Sequence, residues 1–234
     1  MAHAPQALDD LPYRQKLKPT FPKVYNGYLH FATANAFAIT AITVSVSQLD
    51  PVHPLEWLTL PVAFFFANFV EWFAHRGPMH NKVDWMEIVF KRHTLSHHEY
   101  FREDSMPATS HRDWYYVLFP VWGIFPIFLP ALPIMALAWW LISHNVALLF
   151  FATAAFYFIF YEWMHLIYHL PETNPLVRNR LVRYLQRHHR HHHNKRLMQK
   201  YNFNVTFPLS DYLFGTAYRE KANTAAAPGK RSED

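Results

Sequence analysis

Ten of the 17 histidines in this 234-residue chain stand in four tight clusters. They are His75 and His80; His93 with His97 and His98; His165 and His169; and His189 with His192 and His193. Neutral imidazole is the commonest protein ligand for a transition metal. One ion takes about three or four protein ligands, so ten are too many for one and suit two. The pattern predicts a dinuclear metal site.

Spacing says how each cluster is used. His165 and His169 stand at i,i+4, on one helix face a turn apart. His93 and His97 have the same relation, with His98 rotated by about 100°. His189, His192 and His193 repeat the arrangement as H-x-x-H-H. Gly77-Pro78 lies between His75 and His80 and should end a helix there, so these two straddle a helix end. His188 and His191 lie inside the last cluster, and His188 is a further candidate ligand. His3, His30, His53, His111 and His144 are isolated and read as polar anchors. A ligating imidazole donates its other N–H to a carboxylate or carbonyl. Glu71, Glu99, Glu162 and Asp211 are the candidate acceptors behind the ligands. Glu71 and Glu162, each followed by Trp at the end of an apolar run, are costly at a membrane boundary unless paired.

Other chemistries are excluded. Without cysteine there are no disulfides, thiolate zinc sites, iron–sulfur clusters or cysteine nucleophiles. Glycine is scarce, at 5 residues, and no phosphate-cradling glycine motif occurs. The net charge of +5 calls for no nucleic acid, because basic residues flanking membrane spans face anionic headgroups.

The elements that must carry these side chains are membrane helices. Residues 27–49 contain no Asp, Glu, Lys or Arg, and neither do residues 57–70. Residues 114–161 contain none over 48 positions, long enough for two spans of about 20 residues each. Four helices are expected, at 27–49, 56–75, 114–142 and 146–168, with Ser143-His144-Asn145 as the turn between the last two. Pro120, Pro126, Pro130 and Pro133 should kink or break the third; a re-entrant hairpin is the alternative there. With four spans all 22 Lys and Arg fall on one side, which the positive-inside rule makes cytoplasmic. The expected fold is therefore an all-α, multi-pass membrane protein with a cytoplasmic, histidine-rich helical cap. Residues 1–26 read as an irregular or surface-lying N-terminal arm, 27–219 as the membrane domain, and 220–234 as a disordered tail. Phe64, Phe65, Phe66, Trp139, Trp140 and Phe158 read as packing or lipid-facing residues before any role in a substrate tunnel.

The ordered boxes His75-x4-His80, His93-x3-His97-His98, His165-x3-His169 and His189-x2-His192-His193 resemble the fatty acid hydroxylase and sterol desaturase superfamily. Tyr201-Asn202-Phe203-Asn204-Val205-Thr206 is similar to that family's N-F-G-V-T stretch, and Asp211 to Thr216 matches its D-x-x-F-G-T ending. The resemblance covers about residues 55–218. Asn204 stands where the family has glycine; Asn tolerates the left-handed turn. The second box has three residues before its histidine pair where many members have two. The resemblance implies two iron ions, exchangeable for zinc on purification, that use O2 to hydroxylate an unactivated C–H bond of a lipid. Fatty acyl, sphingolipid, sterol and carotenoid substrates all suit it. No haem-binding His-Pro-Gly-Gly motif occurs, so electrons are expected from a separate donor, a ferredoxin or a small haem cytochrome with its reductase. The expected location is a bacterial inner membrane or the endoplasmic reticulum, with both termini and the metal site cytoplasmic.

A lipid desaturase would share the same metals; the fourth box, His165-x3-His169, favours a hydroxylase. A multihaem cytochrome needs paired single histidines on facing helices, not adjacent doublets. A metal transporter would place its ligands near the bilayer midplane rather than at one surface.

Overall fold

The computed structural model describes residues 7–220. His3 and the tail from residue 221 lie outside the described residues. All regular structure among the described residues is helical. Four segments are long and apolar enough to cross a membrane: Gly27–Ser47, Pro54–Met79, Trp114–Leu141 and His144–Tyr168. Their ends fall within a few residues of those expected from charge alone.

The N-terminal arm, expected to be irregular or surface-lying, is helical in part. It carries a short helix, α1 (Pro12–Leu17), opened by Pro12 in the first turn, where a missing N–H costs nothing. The first span, α2 (Gly27–Ser47), is capped by Asn26, whose side chain accepts the Leu29 N–H at 3.1 Å. The second contains α3 (Thr59–Ala74) and ends in a π-helical turn, His75–Met79, where Gly77 leaves helical geometry just before Pro78. That break lies between His75 and His80, as the Gly-Pro pair requires.

Prolines divide the third span as expected. Short helical pieces at Trp114–Val117, Val121–Gly123 and Ile124–Phe128 precede α4 (Ala131–Leu141). The fourth span, α5 (His144–Tyr168), starts with the Ser143 hydroxyl accepting the Val146 N–H at 3.2 Å. It is the central helix: 61% of its most apolar stretch is buried, against 17–22% for the other three. The other three spans pack around it. Ala34 and Ala38 of α2 meet Ala155 of α5, small residues that let two backbones approach. The outward faces carry side chains such as Phe125, Trp140 and Ile142. Such faces would be a liability in water and suit lipid.

Beyond the spans, α6 (Arg180–His192) is capped by Asn179 and turns one face, with Leu185, Gln186, His188, His189 and His192, inward. A last short helix, α7 (Leu209–Leu213), follows the loop 201–208.

Candidate metal centre

The ten clustered histidines converge from five places. The end of the second span gives His75 and His80, and a second π-helical segment, Lys91–His97, gives His93 and His97. His98 follows directly, α5 and its end give His165 and His169, and α6 and its cap give His189, His192 and His193. All ten are buried. His75, His80, His93, His98 and His192 form one group whose ring nitrogens lie within 4.8 Å of one another. His97, His165, His169 and His189 form a second. His193 bridges them, grouping with His97 and His98.

The second cluster is split in a way that α-helical spacing does not predict. In a π-helix the repeat is i→i+5. His93 therefore meets His98, Nε2 to Nε2 at 3.0 Å, while His97 turns into the other group, 3.2 Å from His165 Nε2.

The hydrogen bonds behind the rings define their protonation. The Nδ1 atoms of His75, His97, His169, His192 and His193 face the carbonyl oxygens of Phe203, Tyr116, Met106, Tyr201 and Phe101. A carbonyl only accepts, so each Nδ1 carries the proton and each Nε2 of the neutral ring offers a lone pair. His80 Nδ1 donates to Thr94 Oγ1 at 3.2 Å, because that hydroxyl gives its own proton to Met79 O at 2.6 Å. His97 and His193 then face each other Nε2 to Nε2 at 3.1 Å, and His80 and His192 at 2.9 Å, with no proton for either pair to share. Opposed lone pairs repel unless a cation lies beside both. Nitrogens bonded at about 2.0–2.1 Å to one ion, at right angles, stand about 3 Å apart. The donor set fits metal ions.

Burial keeps these rings neutral. It holds His93, His97, His98, His169, His189 and His193 well below the usual imidazole range, reinforced by neighbouring histidines. His80 is lowered to about 2 by burial and then by His192, and His192 to about 4, chiefly by burial. Neutral imidazole is the form a metal binds.

The four carboxylates expected directly behind the ligands stand elsewhere. Glu71 accepts from Tyr157 OH, Thr206 Oγ1 and the N–H groups of Val205 and Thr206. Asp211 accepts from Phe203 N at 2.9 Å, Asn204 N at 2.8 Å and Thr216 Oγ1 at 2.6 Å. Glu162 accepts the Phe119 N–H at 3.1 Å. Glu71 and Asp211 hold the 203–206 backbone, next to the Tyr201 and Phe203 carbonyls that orient His192 and His75, and Glu162 holds Phe119, three residues after the Tyr116 carbonyl that orients His97. Glu99 differs again, pairing with Arg102 and with Lys195 at the surface. His188 turns away from both groups, its Nε2 3.1 Å from Asp211 Oδ2, because its place on α6 faces the 201–211 segment. His191 pairs with Glu220 and Glu103.

Asn204 does not adopt the left-handed conformation that asparagine would tolerate in place of glycine. Asn202 does, at φ 60°. The Asn204 side chain donates to Asn68 O at 3.0 Å and accepts from Asp211 N at 3.1 Å, tying the loop to α3 as a glycine could not.

Sequence reasoning passed over several residues around the site. Asn68, fully buried, donates to Tyr157 OH and Phe207 O and accepts from Ser210. An amide in the middle of an apolar span was the available signal. Asp113 accepts from Tyr100 OH and from the Thr109 and Ser110 N–H groups.

A cavity of about 460 Å³ opens beside the histidines. Its wall includes His75 and His93 of the first group, His97 and His165 of the second, and apolar side chains such as Phe66, Val70, Ile127 and Phe158. Of the aromatic residues singled out in the sequence, Phe66 and Phe158 reach it; Phe64 packs on Tyr157, and Phe65, Trp139 and Trp140 face outward.

Four helices long and apolar enough to cross a membrane, two buried polyhistidine groups that could hold metal ions and an apolar cavity touching both suit a metal-dependent enzyme that takes an apolar substrate from a membrane. A family profile described as fatty acid hydroxylase matches residues 60–216, and the chain belongs to that family. It is a lipid hydroxylase. The solved structure titled "Full length scs7p (only hydroxylase domain visible)" is similar, with a TM-score of 0.58 at 22% identity over 87% of this chain and 70% of that one. At that identity the likeness concerns the fold. No curated protein matches the chain.

Proposed function

We propose that this chain is a di-iron oxygenase that uses O2 to hydroxylate an unactivated C–H bond of a membrane lipid. One oxygen atom enters the substrate; the other leaves as water with two electrons and two protons from a donor. The observation that carries the reading is the cavity: one continuous apolar wall includes rings from both histidine groups. A lipid chain held there lies against both prospective metal positions at once.

In this reading His75, His80, His93, His98 and His192 hold one iron, and His97, His165, His169, His189 and His193 the other. When bound, the irons supply the oxidising power that no side chain has. The protein does the rest. Backbone carbonyls aim the Nε2 atoms of His75, His97, His169, His192 and His193 inward, burial keeps the imidazoles neutral, and the apolar wall holds the substrate chain and excludes water. The domain extends over 27–219, with an arm at 1–26. In this reading the site faces the cytoplasm, which the uniform placement of Lys and Arg supports, and takes electrons there from a ferredoxin or small haem cytochrome. Fatty acyl, sphingolipid, sterol and carotenoid chains share the chemistry the cavity selects.

The test is metal content of detergent-purified protein, followed by product analysis with lipid, O2 and a reducing system. About two irons (or zincs) per chain, falling to about one in His98→Ala and in His192→Ala variants, and a product heavier by one oxygen support the reading. A product two hydrogens lighter makes the enzyme a desaturase. An unchanged metal content in those variants refutes the site.

A further inference from the structure

The segment 100–108 supplies two of the carbonyls behind the second histidine group. Phe101 O accepts from His193 Nδ1, and Met106 O accepts from His169 Nδ1 at 2.9 Å. The Ala108 N–H closes the link by donating to His169 O at 2.8 Å, and the Phe101 ring packs on His169, centroids 4.3 Å apart. The segment has no regular secondary structure after Tyr100. Something must hold its carbonyls in place, since no helix or sheet does.

That role falls to the N-terminal arm. Arg14 of α1 is fully buried. Its Nε donates to Tyr100 O at 3.2 Å, and its Nη2 donates to Ser105 O and, at 3.1 Å, to Pro107 O. The guanidinium also lies over the Tyr100 and Phe101 rings, 4.9 and 5.3 Å from their centroids. One planar, permanently charged group thus ties together residues on both sides of Phe101 and Met106, a geometry lysine cannot copy. Tyr13 OH adds a bond to Ser105 Oγ at 2.6 Å. The carbonyls behind the first group, Tyr201 and Phe203, lie on a different loop that Arg14 does not touch.

We propose that Arg14 is a positioning residue for the second metal: by clamping segment 100–107 from the arm, it aims His169 and His193. The inference rests on the two-metal reading above. It also assigns a task to residues preceding position 60, where the family match begins.

The test uses the full chain, with Co2+ as the probe, because its ligand-field bands report each site. Wild type, Arg14→Ala, Arg14→Lys, His189→Ala and His80→Ala are purified in detergent, checked for helicity, and titrated against a chelator. Arg14→Ala should lose the bands that His189→Ala loses and keep those that His80→Ala loses, so that bound metal falls from two to about one per chain. Arg14→Lys should bind both ions, with the affinity of the second group lowered about 10- to 100-fold, the usual effect of removing support behind a ligand. Unchanged bands and affinities in both variants overturn the proposal. So does a parallel loss of both ions, which would make the arm a support for the whole fold. If Arg14→Ala does not fold, Arg14→Lys alone decides. Wild type that binds no Co2+ at either group refutes the two-metal reading itself, a different failure.

Discussion

Replacing Asp211 by alanine should damage the first histidine group without touching a histidine that belongs to it. Asp211 is fully buried and accepts from Phe203 N, Asn204 N, Thr216 Oγ1 and His188 Nε2. The threonine hydroxyl can rotate and His188 can move its proton to the other ring nitrogen. The two backbone N–H groups have no such escape. Each buried donor left without an acceptor costs about 1–3 kcal/mol, so Asp211→Ala should lose about 2–6 kcal/mol. For a chain of this size that lowers the unfolding midpoint by roughly 5–20 °C. Asp211→Asn keeps one acceptor oxygen and should lose about half as much. The same two N–H groups fix the strand of chain whose carbonyls aim His75 and His192, so affinity at the first group should drop about 10- to 100-fold while the second is spared. Thermal unfolding in detergent and a chelator titration measure the two effects on one sample. An Asp211→Ala protein that melts early yet binds its first metal as tightly as wild type would show that the carbonyls do not depend on this anchor.

Neighbouring histidines should separate cleanly. His188→Gln should keep the wild-type metal content, because His188 faces Asp211, whereas His189→Ala should lose one ion per chain; loss of metal from His188→Gln would restore it as a ligand. Glu99→Gln should change stability by less than about 1 kcal/mol and metal content not at all, since its ion pairs with Arg102 and Lys195 are partly exposed. Gly27→Ala should be clearly destabilising: a Cβ there runs into the carbonyl of His111, which is backbone and cannot swing aside. A Gly27→Ala protein with an unaltered melting point would mean that α2 and the 111–114 segment are free to separate.

What the sequence reveals and hides here follows from where each signal resides. The four spans are legible because charge is excluded from them, a property of single residues that needs no partner. The breaks at Gly77-Pro78 and along Pro120–Pro133 are legible because proline acts on its own backbone. The ten histidines are legible through their clustering. The carboxylates were expected one step too close, because residue type says that an acceptor is present and not which donor it meets. Glu71 shares a face with His75, yet loop 203–206 lies across α3 and takes the carboxylate first. Arg14 was hidden for the same reason. Nothing in a proline-rich, charged arm tells that one guanidinium will be buried 86 residues away along the chain, on Tyr100 O.

The π-turn at Lys91–His97 links the unusual spacing of the second box to the geometry of the site. In an H-x-x-H-H box, the first and last histidines stand at i,i+4 and face each other across an α-helical turn. Here the box is His93-x3-His97-His98, and those two stand at i,i+5. An α-helix would rotate His98 past His93. A π-helix, repeating at i→i+5, brings them back into register, and their Nε2 atoms meet at 3.0 Å. The extra residue and the π-turn thus cancel. Excising Leu95, whose side chain is exposed, should let the segment relax to α-helical hydrogen bonding with the histidine pair still opposed. Two metals per chain should remain bound, with affinity within about tenfold of wild type. Excising Leu176, outside the segment, is the control and should leave the π-turn's i→i+5 hydrogen bonds unchanged. If the Leu95 deletion folds and binds no metal at the first group, the π-turn does more than absorb one residue.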